Sequence, residues 1–185
     1  LNVEVPPTIK IEVKGAFPAH VGPKDLILHI VGRIGAEGAN NRVIEFHGET
    51  IQRMSTSGRL TLCNMSVEAG ATSGIVPADA ETIRFLREEA GVTDRIDPVV
   101  PDPDAVYERT VTIDVSSLAP QIACPHTVDN VKPVEQVEGV KVQQVVIGSC
   151  TNGRLDDIAA AARIVRGKKV ARGTRMLVFP ASSRI

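Results

Sequence analysis

The chain has no tryptophan, one tyrosine and four phenylalanines in 185 residues. That is too few aromatic side chains for the base-stacking platforms of single-stranded nucleic-acid binders. It also lacks an excess of either charge: 21 Lys and Arg stand against 22 Asp and Glu, a net charge of −1. This argues against a generic nucleic-acid partner or a polybasic membrane contact. No apolar run approaches the roughly 18 residues of a membrane span, and the opening LNVEVPPTIK lacks a basic start followed by an apolar signal core. A soluble, cytoplasmic protein is expected. The three cysteines, Cys63, Cys124 and Cys150, are odd in number and far apart, with no CxxC. A disulfide framework and a zinc site made of cysteines alone are thereby excluded within the chain. What is present is 43% hydrophobic and 23% charged residues, enough to fold around a core. The start at Leu1 rather than Met, and the stop at Ile185 straight after a strand-like run, read as an excised piece of a longer protein.

Hydrophobic period places the elements. Residues 9–17 (IKIEVKGAF) alternate as a half-buried strand, and apolar positions 26, 27, 30, 31 and 34 fit a buried helix ending near Gly35. A short strand is expected over 43–46, then a stretch from Thr50 to Ala69 that is helical in its second half, then a strand over 72–76. Asp79 is placed to cap a helix that stops at Gly91. Residues 92–108, with DPVVPDPD, read as an exposed loop, and VTIDV at 111–115 as a strand. Residues 116–137 carry Pro120, Pro125 and Pro133 and little periodicity, as a linker would. A buried strand over 142–147, a helix over 155–165 and a strand over 176–179 then imply a parallel crossover and an α/β class. The expected division is one lobe over 1–118, a linker over 119–138, and the start of a second lobe over 139–185.

Chemistry concentrates in two stretches. The first is GSCTNG at residues 148–153, at the carboxyl end of a strand and the entry to a helix, where open α/β sheets bind ligands. Free N–H groups and the helix dipole there favour a thiolate at Cys150. A metal or cluster ligand, a nucleophile, a phosphate-cradling loop and a small buried cysteine filling the junction all fit this pattern. The histidines His20, His29, His47 and His126 are scattered, none tied to Cys150 by sequence, and the Walker A spacing is absent. The second stretch is LTLCNMSVEAGATSG at residues 60–74. If helical, it puts Asn64 and Glu68 at i and i+4 on one face, an amide beside a carboxylate able to orient an imidazole or exchange a proton. The competing reading is a solvated polar pair beside a core face of Leu60, Cys63 and Val67. Cys63 itself is expected in the core, and Gly70 and Gly74 are expected to allow close backbone approach.

These residues carry a resemblance. GSCTNGRLDDIAAAARIVRGKKV resembles the iron–sulfur signature of the aconitase superfamily, and LTLCNMSVEAGATSGIVPAD resembles a second block of it. The Gly-Arg after SCTN and the closing VFPASSR are most similar to the large subunits of isopropylmalate dehydratases and homoaconitases. The resemblance runs through nearly the whole chain, including the opening VPPTIKIEVKGAFPAHVGPKDLILHIVGRIG and the PHTVDNVKPVEQV stretch. It implies layered α/β/α lobes with partly parallel sheets and a hydro-lyase that moves a hydroxyl between neighbouring carbons of a small hydroxy di- or tricarboxylic acid. It further implies a [4Fe–4S] cluster held by three cysteines, with one iron left open as a Lewis acid, and a separate small subunit. Carried over residue by residue, Cys150 is the first cluster ligand, and Asn64 and Glu68 lie beside the cluster, Glu68 pairing with a histidine. Ser149, Thr151 and Asn152 shape the cluster loop, and Arg154 is a candidate substrate cation. The family's downstream CxxC and an upstream Asp-Ser-His block are missing, and Cys63 and Cys124 match no ligand position. The 185 residues alone are therefore expected to hold no stable cluster and to be inactive. An RNA-binding or nucleotide-binding α/β module is the alternative of another class.

Overall fold

A computed structural model describes residues 4–183 and Ile185. Leu1, Asn2 and Val3 of the opening segment, and Arg184 of the VFPASSR motif, lie outside the described residues. Four parallel strands form the main sheet in the order β3-β2-β1-β4: β1 (Thr8–Lys14), β2 (Val43–His47), β3 (Ser73–Ile75) and β4 (Arg109–Asp114). Parallel neighbours need crossovers, and α1 (Pro23–Ile34) supplies the one between β1 and β2. The β2-to-β3 connection holds α2 (Glu49–Gln52) and α3 (Thr56–Met65), and α4 (Ala80–Glu88) follows β3. The result is the α/β architecture with parallel strands that the sequence predicts.

Alternation along β1 and β2 sends Ile9, Ile11, Val13, Ile44 and Phe46 to one face, where they meet Leu26, Ile27, Ile30 and Val31 of α1 and Leu62 of α3 in one cluster. Each fully buried side chain of this kind contributes about 1.5–3 kcal/mol. The opposite face carries Lys10, Glu12, Glu45 and His47, half-buried, with Tyr107 donating to Glu45 at 3.2 Å. The first strand stops at Lys14, short of the expected Phe17, because Gly15 turns the chain at φ +84°. Asp79 caps α4 as expected, accepting from the Glu81 and Thr82 backbones.

Several expectations change. Helix begins already at Glu49, and a break at residues 53–55 separates α2 from α3, whose cap is Ser55 accepting from the Gly58 N–H. The α-helix ends at Met65, and residues 66–69 form a 3₁₀ turn closed by Gly70 at φ +82°. The buried side of α3 is made by Gly58, Arg59, Thr61, Leu62 and Met65. Leu60 and Cys63 are only half-buried and Val67 is 65% exposed, so the Leu60–Cys63–Val67 core face does not form. The physical reason is Arg59, whose buried guanidinium bonds to Met54 O, Gln52 O and Asp79 and so rotates α3 by about one residue from the apolar period. Gly74 permits close approach as expected, since a Cβ there would collide with Ser66 Oγ.

The proline-rich stretch is more structured than its composition suggests. Strands β5 (Gln121–Ala123) and β6 (Val131–Pro133) pair antiparallel, and Val131 packs against the main core. Asp25 of α1 accepts from the Gln121 N–H at 2.7 Å, which pins the hairpin to the first turn of that helix. Beyond it, β7 (Gln144–Gly148) pairs in parallel with β8 (Arg175–Phe179) through α5 (Ser149–Asn152) and α6 (Leu155–Val165). The expectation of a buried strand over 142–147 fails. Val142 is 51% and Val146 54% exposed, because among the described residues the two strands with α5 and α6 have no second layer to close over them.

Candidate functional site

The two sequence blocks, far apart in the chain, meet. At Gly148 the backbone takes φ +129°, and a Cβ there would collide with the Phe179 carbonyl, so only glycine lets β7 pass this close to the end of β8. Ser149 follows at φ +72°, an uncommon conformation for a residue with a side chain. The chain then winds through the single turn of α5 that displays Cys150. Asn152 closes the turn by donating to Asp157 Oδ1 at 3.0 Å, and the Arg154 N–H donates to Asp157 Oδ2 at 3.2 Å. Asp157 thus ties the loop to the first turn of α6.

Facing this loop are Thr61 and Asn64 of α3 and its cap residue Ser55. The Thr61 hydroxyl donates to the Thr151 carbonyl at 2.8 Å, the Asn64 amide donates to Cys150 Sγ at 3.4 Å, and the Ser55 hydroxyl donates to Asp156 Oδ2 at 3.1 Å. These three bonds align the Cys150 loop along the helix that carries Asn64. Cys150 is exposed, and its thiol is held below the ordinary cysteine range first by the Asn64 amide and then by the Thr151 hydroxyl, with a further bond from Ser149. The shift runs in the direction of the thiolate, and side-chain donors lead it. Cys63 behaves in the opposite way: burial pushes its thiol up, and it stays half-buried rather than in the core.

Glu68 does not share an α-helical face with Asn64, because α3 ends between them. It is exposed on the 3₁₀ turn, within electrostatic reach of Lys24. Of the residues singled out in the sequence, Ser149 and Thr151 contact the thiol, whereas Asn152 serves Asp157 instead. Arg154 stands at the entry of α6 with a buried Nε that has no hydrogen-bond partner, a donor awaiting an acceptor. Among the described residues no histidine bonds to Cys150, so a histidine-activated nucleophile has no geometry here.

Sequence reasoning missed Lys24. It sits in the first turn of α1 and faces the Cys150 loop across a cleft of about 530 Å³ that Gly148, Ser149, Asn152 and Asp157 also line. Burial lowers its ammonium from the ordinary lysine range, opposed by the charges of Glu68, Asp157, Cys150 and Asp25. Its helix was legible, but nothing in sequence spacing ties residue 24 to residue 150.

An exposed, stabilised thiolate ringed by hydroxyl and amide donors suits a soft metal or cluster iron. It fits as one ligand. Among the described residues no three His, Cys, Asp or Glu side chains gather as a ligand set. None of its described helices is long and apolar enough to cross a membrane.

The model of the family described as "Aconitase family (aconitate hydratase)" matches residues 1–140 and 130–185. The chain is 46% identical over 182 residues to the 3-isopropylmalate dehydratase large subunit of Oleidesulfovibrio alaskensis, covering 98% of this chain and 43% of that protein. It is 50% identical over 180 residues to the protein of the same name from Elusimicrobium minutum, covering 97% and 43%. To the probable methanogen homoaconitase large subunit of Methanosarcina mazei it is 47% identical over 179 residues, covering 97% and 45%. The chain thus spans less than half the length of the curated relatives it matches.

Proposed function

Because the chain belongs to the aconitase family, we propose that it works within the large subunit of a cytoplasmic hydro-lyase that interconverts 2-isopropylmalate and 3-isopropylmalate by dehydration and rehydration, in leucine biosynthesis. The observation that carries this reading is the Asn64–Cys150 contact, which joins two blocks separated by 86 residues at one exposed thiolate. The partner is a separate small subunit, in keeping with the "large subunit" names of the relatives. The substrate is a small hydroxy di- or tricarboxylic acid. The homoaconitate hydratase reaction is the second reading, supported by the 47% identity to the methanogen protein.

In this reading Cys150 is one thiolate ligand of a [4Fe–4S] cluster, and the other thiolates come from residues outside these 185. When bound, such a cluster supplies Lewis acidity at an iron that has no cysteine ligand. Asn64 fixes the direction of the Cys150 sulfur and, by donating to it, lowers the cost of its ionisation. Ser149 and Thr151 add donors to the same sulfur, and Asn152 holds the loop closed through Asp157. Glu68 presents an exposed carboxylate that takes or returns the proton of departing or incoming water, through a histidine supplied from outside the chain. Arg154 offers a buried donor to a substrate carboxylate or to a neighbouring segment. By itself the chain holds too few ligands to retain a cluster and is inactive.

The test is turnover by the complete two-subunit protein, with isopropylmalate and with homocitrate in parallel. Wild type converts isopropylmalate, and Glu68→Gln lowers kcat by about 100-fold or more with little change in KM. Loss of KM alone, or no turnover of either acid by protein carrying a full iron complement, overturns the assignment.

A further inference from the structure

Three ionisable groups around the Cys150 loop are already committed. Asp157 has one oxygen occupied by Asn152 and the other by the Arg154 N–H. Asp25 likewise accepts from the Gly22 N–H at 2.8 Å with one oxygen and from the Gln121 N–H at 2.7 Å with the other. Cys150 accepts from Asn64. Lys24, in the middle of these groups, is different. Among the described residues its ammonium forms no hydrogen bond and no ion pair, yet it is half-buried and lines the cleft in front of Gly148 and Ser149.

A half-buried ammonium has three donors to satisfy and has lost part of its hydration, which a protein tolerates when a ligand completes the shell. The charges of Glu68, Asp157, Cys150 and Asp25 oppose the effect of burial on it without using its donors. Glu68, whose charge acts most strongly on Lys24 among them, is exposed and itself forms no hydrogen bond among the described residues. Glu68 therefore acts on Lys24 through its charge alone, and the Lys24 ammonium lines a cleft of about 530 Å³, within the size range of small-molecule sites.

We propose that Lys24 is a substrate-binding residue, its ammonium taking a carboxylate of the hydroxy acid in the cleft between the first turn of α1 and the Cys150 loop. This deepens the proposed function and rests on it for the identity of the acid. The cation selects for a carboxylate as a point charge on a flexible stem, and Asp157 excludes a second anion from the far wall. Withdrawal of a proton next to a bound carboxylate spreads negative charge onto its oxygens, so a cation held there favours the transition state as well as binding.

Two measurements on the complete two-subunit protein test this. In the first, acylation of the Lys24 amine by an N-hydroxysuccinimide ester is followed by mass spectrometry with and without malate, citrate or isopropylmalate. At least one of these acids slows Lys24 acylation severalfold, while the uncharged malate dimethyl ester does not. In the second, Lys24→Met raises KM by about tenfold or more, the loss of one charge-assisted hydrogen bond, and Lys24→Arg restores part of it, with iron content unchanged in both. Acylation that no acid slows, or a KM for Lys24→Met within twofold of wild type, overturns the proposal. If wild type turns over neither isopropylmalate nor homocitrate, the assigned reaction falls, and protection by malate or citrate still decides the role of Lys24.

Discussion

Arg59 determines which way α3 faces, and Asp79 is what makes a buried guanidinium tolerable there. The Arg59 side chain is 5% exposed, and it meets Asp79 through two bonds of 2.6 and 2.8 Å. The same carboxylate caps α4 at the Glu81 and Thr82 N–H groups. Asp79→Asn keeps a capping oxygen but leaves the guanidinium buried and unpaired. Breaking a buried pair costs about 3–5 kcal/mol. The Asp79 side chain is 34% exposed and partly screened, so the lower figure, about 3 kcal/mol, applies. Asp79→Ala removes the cap as well, adding about 1 kcal/mol. With a urea slope of about 2 kcal/mol per molar, the midpoint of Asp79→Asn falls by about 1.5 M, and that of Asp79→Ala further. Far-UV circular dichroism is the probe, since the chain has no tryptophan. The pH dependence has a definite sign. The Asp79 carboxyl is held below the usual carboxylate range, first by the hydrogen bond from Arg59. Its contribution is therefore present above the ordinary aspartate value of about 3.9 and is lost as pH falls through the lower folded value. Wild type loses stability on acidification below about pH 4, and Asp79→Asn lacks that share of the loss. Midpoints within 0.2 M of wild type for both variants would refute the argument that this pair orients α3.

Two further outcomes follow from the loop geometry. Asn64→Leu removes the leading donor to Cys150 Sγ, so the thiol rises toward its ordinary range. Alkylation by iodoacetamide at neutral pH then slows and the rate profile moves to higher pH; an unmoved profile means Asn64 does not govern the thiolate. Gly148→Ala demands a positive φ from alanine and drives a methyl group into the Phe179 carbonyl, at a cost of about 3 kcal/mol or more. Hydrogen exchange at the β7 and β8 amides should accelerate in that variant while the amides of β1 stay protected.

The fold was legible where one period governs the chain. Residues 26, 27, 30, 31 and 34 announce α1 because one face of it is buried against the sheet, and Leu155–Val165 carries its own pattern and appears with those bounds. Legibility fails where a polar group sets the geometry. Arg59 turns α3 away from its apolar period, and the 3₁₀ turn at Ser66–Ala69 separates Glu68 from Asn64, neither of which spacing encodes. Residues 116–137 lack periodicity because β5 and β6 have three residues each, too short to alternate visibly. Cys150 was readable from its loop, and Asn64 from its resemblance to a family block. Their contact, and the approach of Lys24 to the same cleft, are tertiary facts.

In the proposed reading Cys150, and neither Cys63 nor Cys124, serves the iron site. Its most direct test is iron and sulfide per chain in the complete two-subunit protein after anaerobic reconstitution, for Cys150→Ser, Cys63→Ser and Cys124→Ser side by side. Cys150→Ser is expected to lose the intact cluster, and the other two variants are expected to retain it. A full cluster in Cys150→Ser, or its loss in Cys63→Ser or Cys124→Ser while the protein remains folded, would contradict it.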